Sequence, residues 1–462
     1  MKRAAHHAGR SRCRRVTARP AALIVGMCAH GLAIARSLGR RGVQVHALEA
    51  NGTLPGTATR HAALHSAGDV NGAGLIDALL ELRPRLGDAT RPPVLFLTND
   101  NMVSVVAQAW PLLSDHYRLS WSHCRETIAT LVLKSSLQGR CERAGLPYPR
   151  TWQLEHPDEA DKLAPHLSFP VIAKPVRPLR ALKVRLLHSR ADLERLALEF
   201  SADFPVLIQD WIPGAESQLS FCALYLDRGR VVTRFDGRKL RAQPMGHTTV
   251  AEPVQDDAVF EASQRFFEGL DLSGPVSLEL KRDARGTLWV IEPTVGRTDF
   301  WLGCCIANGV DLPYLEYCHQ ARLALPNVKQ GHRYVWINAE RDPLSIFWYA
   351  CQVVRRAVSQ RPVALLYWAR DDIKPSLRSF RLAVGDLSSR VARKRQCLWR
   401  ILAAKARSAA PYRRRMTTFL TALITSSVAN ALENDARKMA SPTRTEIAPA
   451  EGGVGVKRRL GE

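Results

Sequence analysis

A chain of 462 residues, 46% hydrophobic and 24% charged, has room for two or three domains with proper cores and the balance of a globular protein. Its formal charge of +23 is unusual, yet no zinc-finger spacing or aromatic-interleaved RNA motif accompanies it, which argues against specific nucleic-acid recognition. Ten scattered cysteines without a Cys-x-x-Cys argue against a disulfide framework and a zinc site, and no apolar run reaches the length of a membrane span.

The cysteine pattern makes a reducing cytoplasm the expected compartment, and residues 1–20 read as a disordered basic tail lacking the apolar core of a secretory signal. Ala21 to Gly26 is a buried-strand run, His30 to Arg41 follows with helical spacing, and Gly42 to Glu49 gives a second strand. This is a βαβ unit of the doubly wound type. Its turn, Gly26-Met27-Cys28-Ala29-His30-Gly31, lacks the third glycine of a dinucleotide fingerprint; the glycines serve a tight strand-to-helix turn instead. Pro93 to Leu97 is a further strand that ends in Thr98-Asn99-Asp100-Asn101. Asp100 therefore stands where open α/β sheets bind ligands, as a substrate contact or as a helix cap. A helix is expected over 126–144, carrying Lys134 and ended by Gly145-Leu146-Pro147.

From Phe169 the texture becomes antiparallel. Phe169 to Pro175 is a short strand holding Lys174, Val184 to Leu187 its partner, and Ala191 to Phe200 a helix. Val206 to Ile212 is a strand stopped by Pro213-Gly214; strands over 219–226 and 230–236 follow, then the basic run Gly237-Arg238-Lys239-Leu240-Arg241 and a helix over 258–269. Gly274 to Arg297 reads as a hairpin: Val276 to Leu280, a turn at Asp283 to Gly286, and a returning strand Thr287 to Glu292. Glu279 and Glu292 stand on opposite arms, where cross-strand neighbours converge. Two carboxylates so placed repel each other unless a cation lies between them, and oxygen ligands suit Mg²⁺. By itself this is also what a surface hairpin with two solvated glutamates looks like.

The order of these motifs, from about residue 21 to 320, resembles the ATP-grasp superfamily and its carboxylate–amine ligase-like (D-aspartate ligase-like) members. The resemblance implies an α/β and α+β fold: a Rossmann-like preceding domain (21–125), then a two-subdomain ATP-grasp domain (126–205 and 206–325) that clasps ATP. It implies phosphate contacts from Lys134, Lys174 and Lys183, a nucleotide hinge at Gln209, Asp210, Trp211 and Ile212 with Leu280 against the base, and a ribose contact at Glu216. It implies Mg²⁺, or Mn²⁺ in its place, on Glu279, Glu292 and Thr294, and Arg238, Arg241 and Arg297 holding the acceptor carboxylate or the transferring phosphoryl group. The run around Arg238 is equally consistent with a solvated charge run. The reaction implied is ligation of a small-molecule carboxylate to an amine through an acyl phosphate, because a carboxylate is a poor electrophile until phosphorylated. A weakened ATP-binding or scaffolding protein is the alternative.

Two departures from the family pattern bear on activity. Threonine occupies position 294, where the family usually has asparagine two residues after the metal glutamate, and the loop Val176 to Lys183 has no glycine. Cys304-Cys305 reads as packing. Beyond 325 a strand over 334–338 precedes basic, aromatic-rich helices over 344–358, 363–368 and 377–407, an appendage (326–437) expected to hold the chain at an anionic membrane face or a protein partner without spanning it. Arg413-Arg414-Arg415 ahead of the semi-apolar run Met416 to Leu432 supports that expectation, residues 438–462 read as disordered, and a homodimer is left open.

Overall fold

The computed structural model describes residues 19–385, apart from 89, 177–180, 244–247 and 341. Apolar runs separated by helical segments build the first sheet: β1 (Ala22–Val25), β2 (Val45–Glu49), β3 (Ala63–Ser66) and β4 (Val94–Leu97), all parallel, in the order β3-β2-β1-β4. Helices α1 (Ala29–Gly39), α2 (Gly74–Leu82) and α3 (Asp100–Leu113) connect and follow these strands. β1 and β4 are apolar throughout and fully buried, as strands covered on both faces must be. Gly26, at φ +90°, turns the chain out of β1; a Cβ there would lie 2.0 Å from the Thr98 hydroxyl, so only glycine lets the ends of β1 and β4 approach. Asn99 caps α3, its side chain accepting from the Met102 amide at 2.9 Å, and this releases Asp100 from the capping role.

The single helix expected over 126–144 is two. α4 (Arg125–Val132) ends at an extended Leu133, a tight turn spans Lys134–Ser136, and α5 (Leu137–Ala144) resumes. The Ser136 hydroxyl donates to the carbonyls of Thr130 at 2.9 Å and Leu133 at 2.8 Å, a local bonding pattern that competes with the helix. Lys134 thereby sits in a break, free to turn away from the helix surface.

The second sheet is antiparallel: β5 (Thr151–Leu154), β6 (Val171–Pro175), β7 (Arg185–Leu187) and β8 (Val206–Asp210), in the order β5-β8-β6-β7. Helices α6 (Ala160–Leu163) and α7 (Arg190–Glu199) share a core with it around Leu163, Val171, Leu193 and Ile208.

Seven strands form the third sheet: β9 (Leu219–Asp227), β10 (Arg230–Ala242), β11 (Thr248–Pro253), β12 (Gly274–Arg282), β13 (Leu288–Val295), β14 (Val335–Ile337) and β15 (Val363–Leu365), ordered β13-β12-β9-β10-β11-β14-β15. The strand expected over 230–236 and the basic run after it are one long strand, β10. Helices α8 (Asp257–Phe267), α9 (Leu302–Ala307) and α10 (Leu312–Gln320) pack on the cores this sheet shares with the first. Cys304 and Cys305 are fully buried in that packing.

The C-terminal part departs from an all-helical appendage. β14 falls within the expected strand and extends the third sheet, but the helix expected over 363–368 is instead β15, parallel to β14. An apolar run this short carries no usable period, and its free edge partner decided the outcome. α11 (Ser345–Val354) packs Tyr349 against Val250, Val335 and Ile337. The chain then returns to the first sheet: the Arg36 guanidinium, 6% exposed, donates to Asp372 Oδ2 at 2.9 Å and to the carbonyls of Leu366 and Tyr367. A last helix, α12 (374–385), follows. The N-terminal tail to residue 18, the continuation of the expected helix to 407, Arg413-Arg414-Arg415, Met416 to Leu432 and the final stretch lie outside the described residues, as do positions 177–180 of the glycine-free loop.

Candidate active site

The second and third sheets face each other across a cleft of about 740 Å³, counted to its open mouth. β6 and β8 supply one wall, with Ile172, Lys174 and Gln209 to Ile212; β9, β10, β12 and β13 supply the other, with Leu219, Lys239, Glu279, Lys281 and Glu292. The size is that of a small-molecule site, and the mixture of apolar walls with a few converging charges is typical of one.

At the floor, Glu279 on β12 and Glu292 on β13 are direct cross-strand partners. The register slips by one immediately afterwards, pairing Leu280 with Val290, so Ile291 is bulged out of the ladder and reaches the cleft beside Glu292. Each carboxylate already holds an ammonium. Lys239 Nζ lies 2.7 and 2.8 Å from the two oxygens of Glu279, and Lys134 Nζ lies 2.7 Å from Glu292 Oε1. Burial pushes the Glu279 carboxyl up against the counter-pull of Lys239, with Asp299 and Glu292 adding to the rise. Burial also opposes ionisation of Glu292, but Lys134 and Lys174 outweigh it and hold the group down at about 2. Water reaches 40% of the Glu292 side chain, which screens part of that effect.

Lys174 is 9% exposed and donates to Gln209 Oε1 at 2.8 Å; Gln209 in turn donates to the Thr151 hydroxyl at 2.8 Å. Burial, and then the nearby charge of Lys134, lower the Lys174 ammonium to about 8. Asp210 and Trp211 line the cleft with the buried Ile212 after them, and Glu216 stands on the turn that precedes β9. Leu280 is not in the cleft. Successive strand residues point to opposite faces, so with Glu279 and Lys281 facing the cleft, Leu280 packs into the core at 0% exposure.

Lys281 is the residue that sequence reasoning missed on this wall. Its ammonium, almost fully buried, donates to the carbonyls of Ile212 at 2.8 Å and Gly214 at 2.9 Å and lies 4.2 Å from the centre of the Trp211 ring. It thereby ties the stretch from Trp211 to Gly214 to the opposite sheet. The strand parity that excludes Leu280 selects Lys281, so the signal was present in the alternation.

The arginines divide. Arg297 does not line the cleft but lies next to it: its Nε donates to Asp100 Oδ1 at 2.6 Å, tying the first sheet's crevice to the hairpin, and Asp100 shares a small cavity with Lys134 and Glu292. Burial opposes the Arg297 charge, but Asp100 and Asp299 dominate and hold it firmly protonated. Arg238 and Arg241 are directed elsewhere. Arg238 pairs with Glu252 on β11, and Arg241 pairs with Asp342, which also accepts from Thr249. Register shifts at 239/241 and 241/242 disrupt the simple alternation of β10, and of its basic residues only Lys239 lines the cleft. Lys183 is exposed ahead of β7 and is not among the residues lining the cleft.

Thr294 is buried, and its hydroxyl donates to Asp299 Oδ2 at 2.9 Å. Asp299, also unanticipated, acts electrostatically on Glu279, Lys239 and Arg297 together, which places a third carboxylate beside the glutamate pair. Among the described residues no three His, Cys, Asp or Glu side chains are already gathered as a metal cluster. Even so, two carboxylates in direct register, each compensated by a cation, are a donor set that fits a hard divalent ion.

No family model matches the chain. It is 24% identical over 263 residues to D-aspartate ligase of Enterococcus faecium, covering 51% of this chain and 61% of that protein. The chain thus spans less than two thirds of the length of that relative. Among solved structures, L-amino acid ligase from Bacillus licheniformis superposes with a TM-score of 0.51 at 14% identity, covering 66% of this chain and 75% of that one. The biotin carboxylase domain of Hydrogenobacter thermophilus 2-oxoglutarate carboxylase, solved with MgADP and bicarbonate, gives 0.54 at 15% identity, covering 69% and 73%. The similarity to D-aspartate ligase over about half of the chain and the fold shared with these solved structures bear out the resemblance to the ATP-grasp superfamily.

Proposed function

We propose that the chain is an ATP-dependent carboxylate–amine ligase. The observation that carries this reading is the pair Glu279 and Glu292, opposite each other at the floor of the cleft and each neutralised by a lysine. In it, the adenine lies against Trp211 and Ile212, whose backbone Lys281 holds; Glu216 meets the ribose; Lys174 and Lys134 meet the phosphates. Glu279 and Glu292, with Asp299 and Thr294 beside them, would hold Mg²⁺, which supplies charge neutralisation across the phosphate oxygens. Arg297, pre-oriented by Asp100, receives the acceptor carboxylate. The carboxylate oxygen attacks the γ-phosphorus and ADP leaves; the amine nitrogen then attacks the acyl carbon, releases phosphate and loses a proton. Positioning and charge compensation supply most of the acceleration in such a transfer.

The substrate class follows from Arg297 and from the relative that acts as D-aspartate ligase: amino acids with a second carboxylate come first in a screen for ADP release. Turnover that needs both a carboxylate and an amine and is lost in Glu292→Ala supports the reading. Turnover unchanged in Glu292→Ala overturns the role given to the hairpin. A second reading, a weakened nucleotide-binding protein, is favoured by Thr294, whose hydroxyl is committed to Asp299. Nucleotide binding without ADP release identifies that case.

A further inference from the structure

α12 is amphipathic the wrong way round. Its buried positions are small or polar, Pro375 and Ser379, with Asp372 buried just before the helix, while Leu382 on the Pro375 face is 44% exposed. Polar contacts hold that side, with Ser376 donating to the Tyr367 carbonyl at 2.7 Å and Arg378 donating to the Gly52 carbonyl at 3.0 Å and to the Thr57 hydroxyl. The outward positions are apolar. Ile373, Leu377, Phe380 and Val384 are 42%, 50%, 68% and 49% exposed. At about 100° per residue Leu377, Phe380 and Val384 fall within an arc of roughly 60°, with Ile373 just ahead of the helix, and Lys374 and Arg381 lie along one flank of that arc. A contiguous apolar stripe left facing water marks an interaction surface.

Charge decides what covers it. From Lys374 to Arg415 the sequence has thirteen lysines and arginines and a single acidic residue, Asp386. A second copy of the chain would bring the same excess of positive charge, and like charges oppose that pairing. A nucleic acid would satisfy the charge but offers little to an aliphatic stripe. An anionic bilayer surface satisfies both, with its acyl boundary for Leu377, Phe380 and Val384 and its headgroups for the basic flank. We propose that α12 docks the chain on an anionic lipid surface, lying in the interface without crossing it. No helix among the described residues is long and apolar enough to span a membrane. This inference does not depend on the ligase reading.

The test is flotation of the full chain with vesicles of phosphatidylcholine alone and of phosphatidylcholine with phosphatidylglycerol. Expected is roughly tenfold or greater recovery on the anionic vesicles, lost at high salt. Leu377→Ser and Phe380→Ser should each reduce recovery severalfold with an unchanged melting temperature, since neither side chain is buried. Hydrogen exchange over 374–385 should slow on the anionic vesicles, a local readout independent of the variants. Equal recovery on both vesicle types, or serine variants that bind like the parent, overturns the proposal. So does a dimer whose sedimentation the same variants abolish, or capture by DNA or RNA that those variants leave intact.

Discussion

Lys239→Met tests the charge balance on which the site reading depends. Lys239 has 7% of its side chain exposed and Glu279 17%, and the ammonium contacts both carboxylate oxygens. Removing it leaves Glu279 largely buried without a counter-charge. Breaking a buried pair from one side costs about 3–5 kcal/mol, and residual water at Glu279 puts the expectation at the lower end, about 3 kcal/mol. The sign with pH follows from Glu279, whose folded-state pKa burial already raises. Without Lys239 it rises further, so the deficit is full above that pKa and shrinks as pH falls and the carboxyl takes up a proton. Urea denaturation at pH 5 and pH 8 measures this directly. Adding Glu279→Gln to Lys239→Met should recover most of the loss at pH 8, because the orphaned charge is then gone. A deficit equal at both pH values, or a double variant no more stable than the single one, would refute the argument.

Glu316, 4% exposed, accepts from the Ser120 hydroxyl at 2.6 Å, and burial pushes its carboxyl up to about 8. Its contribution is complete below the unfolded value near 4.5 and declines as pH rises towards 8, by at most on the order of 5 kcal/mol; Glu316→Gln should flatten that slope in urea titrations at pH 5, 7 and 9. Lys174, lowered to about 8, is charged below that pH, so affinity for a non-hydrolysable ATP analogue should fall between pH 7 and pH 9 by calorimetry, and Lys174→Met should remove the dependence. Asp299→Asn should weaken Mn²⁺ binding in the presence of the analogue, read by electron paramagnetic resonance, roughly tenfold. Arg297→Lys, which loses the planar fork beside Asp100, should lower turnover by about tenfold or more while the melting temperature moves little.

Much of the fold was legible because its signals are local. Ala22–Val25 and Val94–Leu97 are uninterrupted apolar runs at the length of buried parallel strands, and Gly145 and Pro147 ended a helix where the structure ends it. What escaped was decided by partners. The break at Leu133 depends on Ser136 reaching back to Thr130 and Leu133, and a count of helix formers over 126–144 does not see it. Val363–Leu365 became a strand because Val335–Ile337 offered it an edge.

The site divides along the same line. Glu279 and Glu292 were legible as a pair because a hairpin's register follows from its turn, and Lys174 because a lysine closing a buried strand is a narrow pattern. Leu280 was misplaced although parity alone excludes it: no strand in regular extension can turn Glu279 and Leu280 to the same side. Arg238 and Arg241 pose the harder problem. Their charges suit a phosphoryl group as well as Lys239 does, and what separates them is the acids that hold them, Glu252 on β11 and Asp342 beyond β14. A strand's sequence tells which residues alternate, whereas the neighbouring strands decide which charges are already spoken for. In a chain so rich in arginine that second question governs function, because a basic residue already paired with a carboxylate remote from Glu279 and Glu292 is poorly placed to serve a substrate, whereas the Asp100 that holds Arg297 shares a cavity with Glu292. Lys239 and Lys134 are paired as well, but with Glu279 and Glu292, the carboxylates that line the cleft itself. Those ion pairs keep both ammonium groups at the cleft, within reach of the phosphate-binding task proposed for such lysines.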